Sequence, residues 1–435
     1  MLTQTSYSAT ADANPADQLF RRVAWRFMPL LFVGYVVAYL DRVNVGFAKL
    51  QMLSSLHFSE TAYGLGAGLF FIGYFLFEVP SNLLLHRFGA RRWIARIMIT
   101  WALLSMVTAW VHTPLMFYVV RFLLGVAEAG FFPGMILYLT YWFPSHRRGK
   151  MTALLMAGIP VSGLLGGPLS GYLMHAFNGT WGLEGWQWLF IVEALPSIVL
   201  GFVIYRCLDD RVADATWLSS EEKRLIQDEI DADAVVRTHG SVRAVFGSAR
   251  VWLLCLVLFG VVMGSYAIGF WQPTIIRGTG IDDPLMIGLL TMIPYSVALI
   301  SMITVGRHAD RTRERRWHIV VPALVAASGF SLCAINGDSS LLSMIGLTLA
   351  VSGVVTALPM FWALPTAFLG GSGAAAGIAL INCTGNLAGF ISPTVIGWLK
   401  GYTHTLASGL VLTACTLTLS AVLILLFIPA KLVNR

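Results

Sequence analysis

Four charged side chains lie inside apolar stretches of this 435-residue sequence, and their types and spacing suit the handling of ions. Asp41 and Arg42 are adjacent near the end of one apolar stretch, and Arg121 and Glu128 lie seven residues apart in another. On a helix, a separation of seven residues places two side chains on one face, about 10 Å apart. Charges inside a membrane are costly, so they usually face a cavity and mark an ion or substrate path. We predict that these four residues form the functional centre.

Two kinds of chemistry follow from these residue types. A guanidinium group is a planar fork that matches a carboxylate, so Arg42 and Arg121 are predicted to bind an anion, with Tyr39 on the same helix face as Arg42. Burial favours the neutral form of a carboxyl group and a nearby arginine favours the ionised form, so Asp41 and Glu128 are predicted to load and release protons. The alternative is that the four charges only neutralise one another and hold the helices together.

The composition is that of a protein that crosses a membrane many times. Hydrophobic residues make up 57% of the chain and charged residues only 12%, against about 25% charged in a soluble domain. Mean hydropathy is +0.74. The polar first 26 residues contain no apolar core of a cleavable signal peptide. Five scattered cysteines and nine histidines show no metal-ligand spacing. Neither an enzyme nor a cofactor is expected, apart from the proton as a coupling ion.

Stretches of about 20 mostly apolar residues predict an all-α membrane protein with twelve spanning helices. We predict them at 25–46, 61–85, 93–111, 115–142, 150–175, 187–207, 251–274, 284–305, 317–336, 341–364, 372–398 and 406–429. They divide the chain into a tail 1–24, a six-helix bundle 25–207, a linker 208–250 with an amphipathic helix, a second bundle 251–429 and a tail 430–435. Two similar bundles with a binding site between them are the layout of a rocking transporter.

The basic residues indicate which ends of the helices face the cytoplasm. Of the 29 lysines and arginines, 24 fall on the side of the termini and the linker, and only Lys49, Arg277 and Lys400 fall on the opposite side. The positive-inside rule therefore predicts cytoplasmic termini and a cytoplasmic linker. The same distribution explains the basic isoelectric point without a nucleic-acid partner.

Two basic loops occupy equivalent places in the two bundles, and they resemble the repeated loop motif of the major facilitator superfamily. The second copy keeps Gly306 and Asp310, whereas the first has Asn82 and His86 where glycine and aspartate usually stand. The resemblance covers nearly the whole chain and implies the superfamily's two pseudo-symmetric six-helix bundles. It also implies that loop residues control a gate, here Arg87, Arg91, Asp310 and Arg311.

Several longer motifs resemble the anion:cation symporter family within that superfamily. They are Tyr39-Leu-Asp41-Arg42-Val-Asn44-Val-Gly46, Glu78-Val-Pro80-Ser81-Asn82, Arg121-Phe-Leu-Leu-Gly125-Val-Ala-Glu128-Ala-Gly130-Phe-Phe-Pro133-Gly134, Gly185-Trp186-Gln187-Trp188-Leu-Phe and Asn382-x-x-Gly385-Asn386-Leu. The resemblance implies proton-coupled uptake of an organic anion, such as a sugar acid, a hydroxy-dicarboxylate or an aromatic carboxylate. It also implies a monomer in the bacterial inner membrane.

The second bundle differs from the first because its predicted helices carry no Asp, Glu, Lys or Arg. Its neutral polar and aromatic residues are predicted to bind substrate hydroxyl groups and to form the walls of the site. The expected substrate-binding set is therefore Arg42, Arg121, Tyr39, Tyr74, Trp362, Asn382 and Asn386. For the two asparagines, a helix–helix hydrogen bond is the alternative, and a structural role is favoured for Glu78 and Glu193.

Two other functions remain open on the sequence. The run Gly163-x-x-x-Gly167-Pro168-x-x-Gly171 resembles the motif of superfamily antiporters, although Tyr172 stands where a second glycine is usual. A proton-coupled antiporter or exporter is therefore the main alternative. A membrane sensor that does not transport is the other, and the short linker argues against it.

Overall fold

The twelve predicted spanning helices are present in the computed structural model, which describes residues 15–235, 246–337, 339–368 and 371–434. They are labelled in chain order as α1 Pro15–Ser55, α2 Glu60–Phe88, α3 Ala90–Trp110, α4 Pro114–Trp142, α5 Ser145–Ala176, α6 Gly185–Cys207, α7 Ala249–Arg277, α8 Pro284–Thr312, α9 Trp317–Ile335, α10 Ser340–Pro365, α11 Gly377–Thr403 and α12 Ala407–Phe427. The chain is all-α over these residues, as predicted. Most of the predicted tail 1–24 and the centre of the predicted linker lie outside the described residues.

Several spans are longer than predicted, and four contain a local break. The α1 span begins at Pro15 because Leu19, Phe20 and Val23 continue its buried face beyond the apolar stretch. Breaks lie near Asn44 in α1, near Gly130 in α4, near Ala157 in α5 and near Trp362 in α10. Gly130 has a φ of +83°, a backbone conformation that glycine adopts without strain.

The six-helix halves α1–α6 and α7–α12 meet mainly along two helix pairs, α5 with α8 and α2 with α11, and α7 also contacts α1. Glycines allow the close approach: a Cβ atom added to Gly167 would lie 1.7 Å from Thr291 Oγ1 of α8. The glycine run that resembles an antiporter motif is therefore also a packing surface between the halves. Close packing at these glycines agrees with the role of small residues at membrane helix interfaces.

The two ends of the bundle differ in how the halves touch. We call the end that carries residues 15 and 427 the terminus side, and the opposite end the far side. Polar contacts between the halves concentrate on the far side and at mid-depth. Examples are Tyr63 Oη to the Phe270 carbonyl at 3.2 Å and Lys400 Nζ to Glu60 Oε1 at 2.5 Å. The structure is therefore closed on the far side.

The predicted amphipathic helix of the linker is Ser220–Val235, and it packs on the first half. It begins with a capping box, since the Glu222 carboxylate accepts from the Ser219 N–H at 2.8 Å and the Ser219 hydroxyl accepts from the Glu222 N–H at 3.2 Å. The bond from the Ser219 N–H, and then the ion pair with Arg22, hold the pKa of Glu222 below its usual value. Arg147 of α5 also pairs with Glu229 of this helix at 3.7 Å.

Candidate functional site

Arg42 and Glu128 form an ion pair at mid-depth in the first half. The Arg42 guanidinium donates to Glu128 Oε1 through both Nε and Nη2, with Nε at 3.1 Å. The side chain of Arg42 is 11% exposed and that of Glu128 is 2% exposed. The helix break near Gly130 follows Glu128 directly, so the carboxylate lies at the end of a helical segment of α4. Sequence placed Arg42 beside Asp41, whereas the structure pairs it with the carboxylate of another helix.

Arg121 is completely buried, and no hydrogen-bond acceptor reaches any of its three guanidinium nitrogens in the part of the chain that the structure describes. Its guanidinium carbon lies 5.1 Å from the centre of the Phe70 ring. Arg42 approaches the same ring, at 5.5 Å. Two cations thus flank one aromatic side chain. Arg42 is bonded to the Glu128 carboxylate, whereas Arg121 interacts with that carboxylate only at longer range and without a bond. A buried charge without a bonded counter-ion costs on the order of several kcal/mol, so Arg121 is suited to receive an anion.

Asp41 lies on another side of α1 and faces the interior of the first half. Its carboxylate accepts hydrogen bonds from Ser197 Oγ at 2.8 Å, Trp101 Nε1 at 3.0 Å and Ser105 Oγ at 3.3 Å. Asp41 is 2% exposed. Three neutral donors from α3 and α6 satisfy this carboxylate without an arginine. The two predicted proton carriers therefore occupy different environments, and only Glu128 is paired to a predicted anion-binding residue.

Glu78 of α2 connects the two halves through the predicted substrate amides. Asn382 Nδ2 donates to one carboxylate oxygen at 3.0 Å, and Asn386 Nδ2 donates to the other at 2.7 Å. Glu78 is 7% exposed. Its position in the Glu78-Val-Pro80 motif was the available signal, but sequence could not show that it faces α11. In this conformation a carboxylate of the chain itself holds both amides that are predicted to bind substrate.

The predicted aromatic residues lie at different distances from this centre. The Tyr74 ring lies 5.4 Å from the guanidinium carbon of Arg42. Tyr39 is buried and lies near Ser265 of α7. Tyr266, also on α7, is close enough to Arg42 to interact with it electrostatically and brings the second half to the ion pair. Trp362 lies at the break in α10, beside Phe361, among the apolar side chains of the second half.

The predicted gate residues lie on the terminus side, and their described partners belong to their own half or to the linker. The Arg91 N–H donates to Asp210 at 2.8 Å, and Asp310 pairs with Arg315 at 2.8 Å. Arg87 and Arg311 are exposed. This arrangement agrees with a structure that is closed on the far side. Their role as a gate stays a prediction.

Glu193, for which a structural role is predicted, accepts a hydrogen bond from Ser170 at 2.6 Å within the first half. The described residues contain no group of histidine, cysteine or acidic side chains that could hold a metal ion.

Charged residues of the second half are confined to the ends of its described spans. Arg277 is the last residue of α7, Lys400 lies near the far end of α11, and Arg307, Asp310 and Arg311 lie near the terminus end of α8. The predicted spans stopped short of these residues, so the prediction of helices without charge holds for their central parts. Lys49 follows the predicted first span 25–46, but the structure places it inside helix α1, where it is 4% exposed.

Comparison with known proteins agrees with the geometry. Residues 31–393 match the sequence profile of the Major Facilitator Superfamily. NicT of Pseudomonas putida, named as a proposed metabolite transport protein, is 46% identical over 96% of both chains. A protein of Agrobacterium vitis named as a proposed tartrate transporter is 46% identical over 94% of this chain and 91% of its own. A quinolone resistance transporter of Acinetobacter baumannii is 41% identical over 90% of this chain and 91% of its own.

Solved structures show the same fold at low sequence identity. The partially occluded inward-open xylose transporter XylE of E. coli has a TM-score of 0.76 at 15% identity, covering 93% of this chain and 98% of its own. The names of the sequence relatives are consistent with carriers of the anion:cation symporter type. The predicted fold class is confirmed.

Proposed function

Because this chain belongs to the Major Facilitator Superfamily and is a multi-pass membrane transporter, we propose that it takes up a small organic anion together with protons. The proposed substrates are sugar acids, hydroxy-dicarboxylates and aromatic carboxylates. The single observation that carries the proposal is Arg121, a buried cation with no hydrogen-bond or ion-pair partner among the described residues, next to the Arg42–Glu128 ion pair. The name of the tartrate relative supports the same class of substrate.

The ion pair supplies a physical route to coupling. While Glu128 is ionised, it occupies the guanidinium of Arg42. A proton on Glu128 removes the negative charge and frees Arg42 to join Arg121 in binding a carboxylate. The bound anion in turn compensates the two arginines when Glu128 is neutral. Proton and anion therefore bind more tightly together than apart, which is the thermodynamic condition for symport.

Alternating access follows from the arrangement of the halves. The centre lies at mid-depth between them, and the far side is closed by direct contacts. We propose that the terminus side faces the cytoplasm of a bacterium, as the basic residues predict. The described conformation then corresponds to the state that exchanges ligand with the cytoplasm.

Counterflow in proteoliposomes tests the substrate class. Vesicles loaded with tartrate, a hexonate or an aromatic carboxylate should accumulate the same labelled anion at equal pH, and threitol or a cationic drug should not exchange. A protonophore should abolish uptake driven by a pH gradient. Uptake that continues unchanged with protonophore, at clamped pH and without sodium, would falsify the proton coupling.

A proton-coupled exporter is the second candidate, favoured by the quinolone resistance relative and by the glycine run of α5. The direction of proton movement separates the two. When anion is added outside de-energised vesicles with the membrane potential clamped, symport consumes external protons and raises the external pH. Antiport lowers it. A pH-sensitive dye outside the vesicles measures the sign.

A further inference from the structure

The basic residues that sequence assigns to the far side converge on one cavity. Lys49, Arg277 and Lys400 come from three different helices, yet all line a cavity of about 620 Å³. Glu60 and Asp282 also line it, so three cations face two carboxylates. Exposed Ser54 and His404 lie at its edge. A side of the protein with almost no basic residues thus concentrates them at a single opening.

Glu60 is the residue that both lysines share. Its carboxylate lies 2.7 Å from Lys49 Nζ and 2.5 Å from Lys400 Nζ. Lys49 belongs to the first half and Lys400 to the second, so the carboxylate bridges the halves where the far side is closed. Arg277 of the second half donates to the Leu50 carbonyl of the first at 2.5 Å. The cations are therefore part of the closure as well as of the cavity wall.

A row of alternating cationic and aromatic side chains runs from this cavity to the Arg42–Glu128 ion pair. Lys49 Nζ lies 3.6 Å from the Trp271 ring centre and 4.8 Å from that of Tyr63. These two rings meet edge to face at 5.6 Å. Tyr63 is close enough to Arg121 to interact with it electrostatically, and Arg121 lies against Phe70. An anion that leaves the cavity inward would pass from one cation to the next.

We propose that this cavity is an outer binding site for the carboxylate of a small organic anion, in which Glu60 occupies the lysines when no ligand is bound. The inference rests on the proposed function, because it takes the transported anion as the ligand. A carboxylate from solution competes with Glu60 for Lys49 and Lys400, and Arg277 adds attraction at the entrance. Binding there weakens the bridge between the halves at the moment when substrate arrives.

A fluorescence titration tests the outer site without requiring transport. Ser54→Cys, in a chain with exposed Cys207 and Cys415 changed to serine, carries an environment-sensitive dye at the edge of the cavity. Tartrate should change its fluorescence saturably, and threitol should not. The response should persist in Arg121→Ala, which removes the central cation and leaves the outer cavity intact.

Two substitutions separate a binding site from a purely mechanical closure. Lys400→Gln removes an anion-binding charge and should raise the half-saturating tartrate concentration about tenfold, the usual scale for a charge-assisted bond. Glu60→Gln removes the competing carboxylate and should lower that concentration. Both substitutions remove the Glu60–Lys400 ion pair. If that pair only closed the far side and bound no anion, both substitutions would change the half-saturating tartrate concentration in the same direction. Lys431→Gln, the same change at an exposed position on the terminus side, is the matched control.

The outcomes distinguish this inference from the proposed function. No saturable response to tartrate, loss of the response in Arg121→Ala, or shifts of equal sign in Lys400→Gln and Glu60→Gln would overturn the outer site. A response with the expected opposite shifts, in a protein that fails to transport any anion in counterflow, would support the outer site and refute the proposed function.

Discussion

The centres of the two halves differ in the kind of polarity they carry. The first half places Asp41, Arg42, Arg121 and Glu128 at mid-depth, and all four are buried or nearly so. The central parts of the second half, as far as they are described, offer neutral groups such as Asn382, Asn386 and Tyr266. Since the halves repeat one architecture, the difference lies in their side chains and not in their backbone. This difference is the basis of a proposed division, in which the first half handles charge and protons and the second orients the neutral parts of the ligand.

The largest expected effect comes from removing the unpaired cation. Arg121→Ala should weaken anion binding about 100-fold or more, because the loss of one partner from a buried charge pair costs about 3 kcal/mol. Arg121→Lys keeps the charge but loses the planar fork, so a loss of about tenfold is expected. Calorimetry with tartrate in detergent measures both. Arg307→Ala, at an exposed position of α8, is the control. Near wild-type affinity in a folded Arg121→Ala protein would assign Arg121 a structural role and weaken the proposed division between the halves.

The next effect separates proton movement from anion movement within the first half. Glu128→Gln mimics the protonated carboxyl group and should free Arg42 permanently. Exchange at equal pH requires no proton release, so counterflow should survive, whereas uptake driven by a pH gradient should fall to background. Both assays use the same liposomes.

Asp41→Asn provides the contrast to Glu128→Gln. Asp41 is satisfied by Ser197, Trp101 and Ser105 and not by an arginine, so the separation between the two assays should be smaller there. Equal loss of counterflow and gradient-driven uptake in both variants would point to structural charges. Full gradient-driven uptake in both would exclude them as essential proton carriers and leave Glu78 as the next candidate.

A third and smaller effect tests what the neutral amides of the second half do. Glu78 holds Asn382 and Asn386 in the described conformation. If the substrate needs these amides, Glu78→Gln weakens a competitor and should lower the KM for uptake about threefold, the scale of one net hydrogen bond. Asn386→Ala should raise the KM in the same assay. An unchanged KM in both variants, with altered rate alone, would mean that the amides only fasten the halves together.

Sequence predicts the architecture of this protein well because the membrane imposes it. Twelve apolar stretches of sufficient length must become helices, since no water satisfies backbone polar groups in lipid, and the structure contains all twelve. The breaks at Asn44 and Gly130 were not predicted, because they depend on local packing and not on hydropathy. The charged residues that interrupt apolar stretches lie buried at mid-depth in the first half, and their role as the functional centre stays a prediction.

The partners of those residues could not be predicted from spacing alone. Arg42 is adjacent to Asp41 in sequence but pairs with Glu128, because neighbouring residues on a helix point in different directions. The contacts of Glu78 and Lys49 could not be predicted for a related reason. Each contacts the other half, and the pairs Glu78–Asn386 and Lys49–Thr274 join residues that are hundreds of positions apart. Hydropathy and helix periodicity describe one helix at a time and carry no information about such pairs.

The smallest predicted effect concerns the far-side contact of α5 with α8, where the two halves meet outside the centre. His175 bonds to Asp283 at 2.8 Å, and Asp283 also caps α8 by accepting from the Met286 N–H at 3.2 Å. Although slight burial opposes ionisation, these bonds hold the pKa of Asp283 below its usual value. A carboxylate with a depressed pKa stabilises the folded state at pH values above its unfolded pKa, and that contribution is lost as the pH falls through the folded pKa.

Asp283→Ala should therefore lower the melting temperature by about 1–2 °C at neutral pH, the scale of one lost helix cap in a protein of this size. The difference from the unmodified protein should shrink as the pH falls below the ordinary aspartate pKa of about 3.9, because the unfolded state then binds a proton that the folded carboxylate binds more weakly. Differential scanning fluorimetry across pH measures it, with Asp282→Ala at the exposed neighbouring position as the control. A melting difference that stays constant from pH 7 to pH 3 would show that the side chain acts through packing and not through its charge.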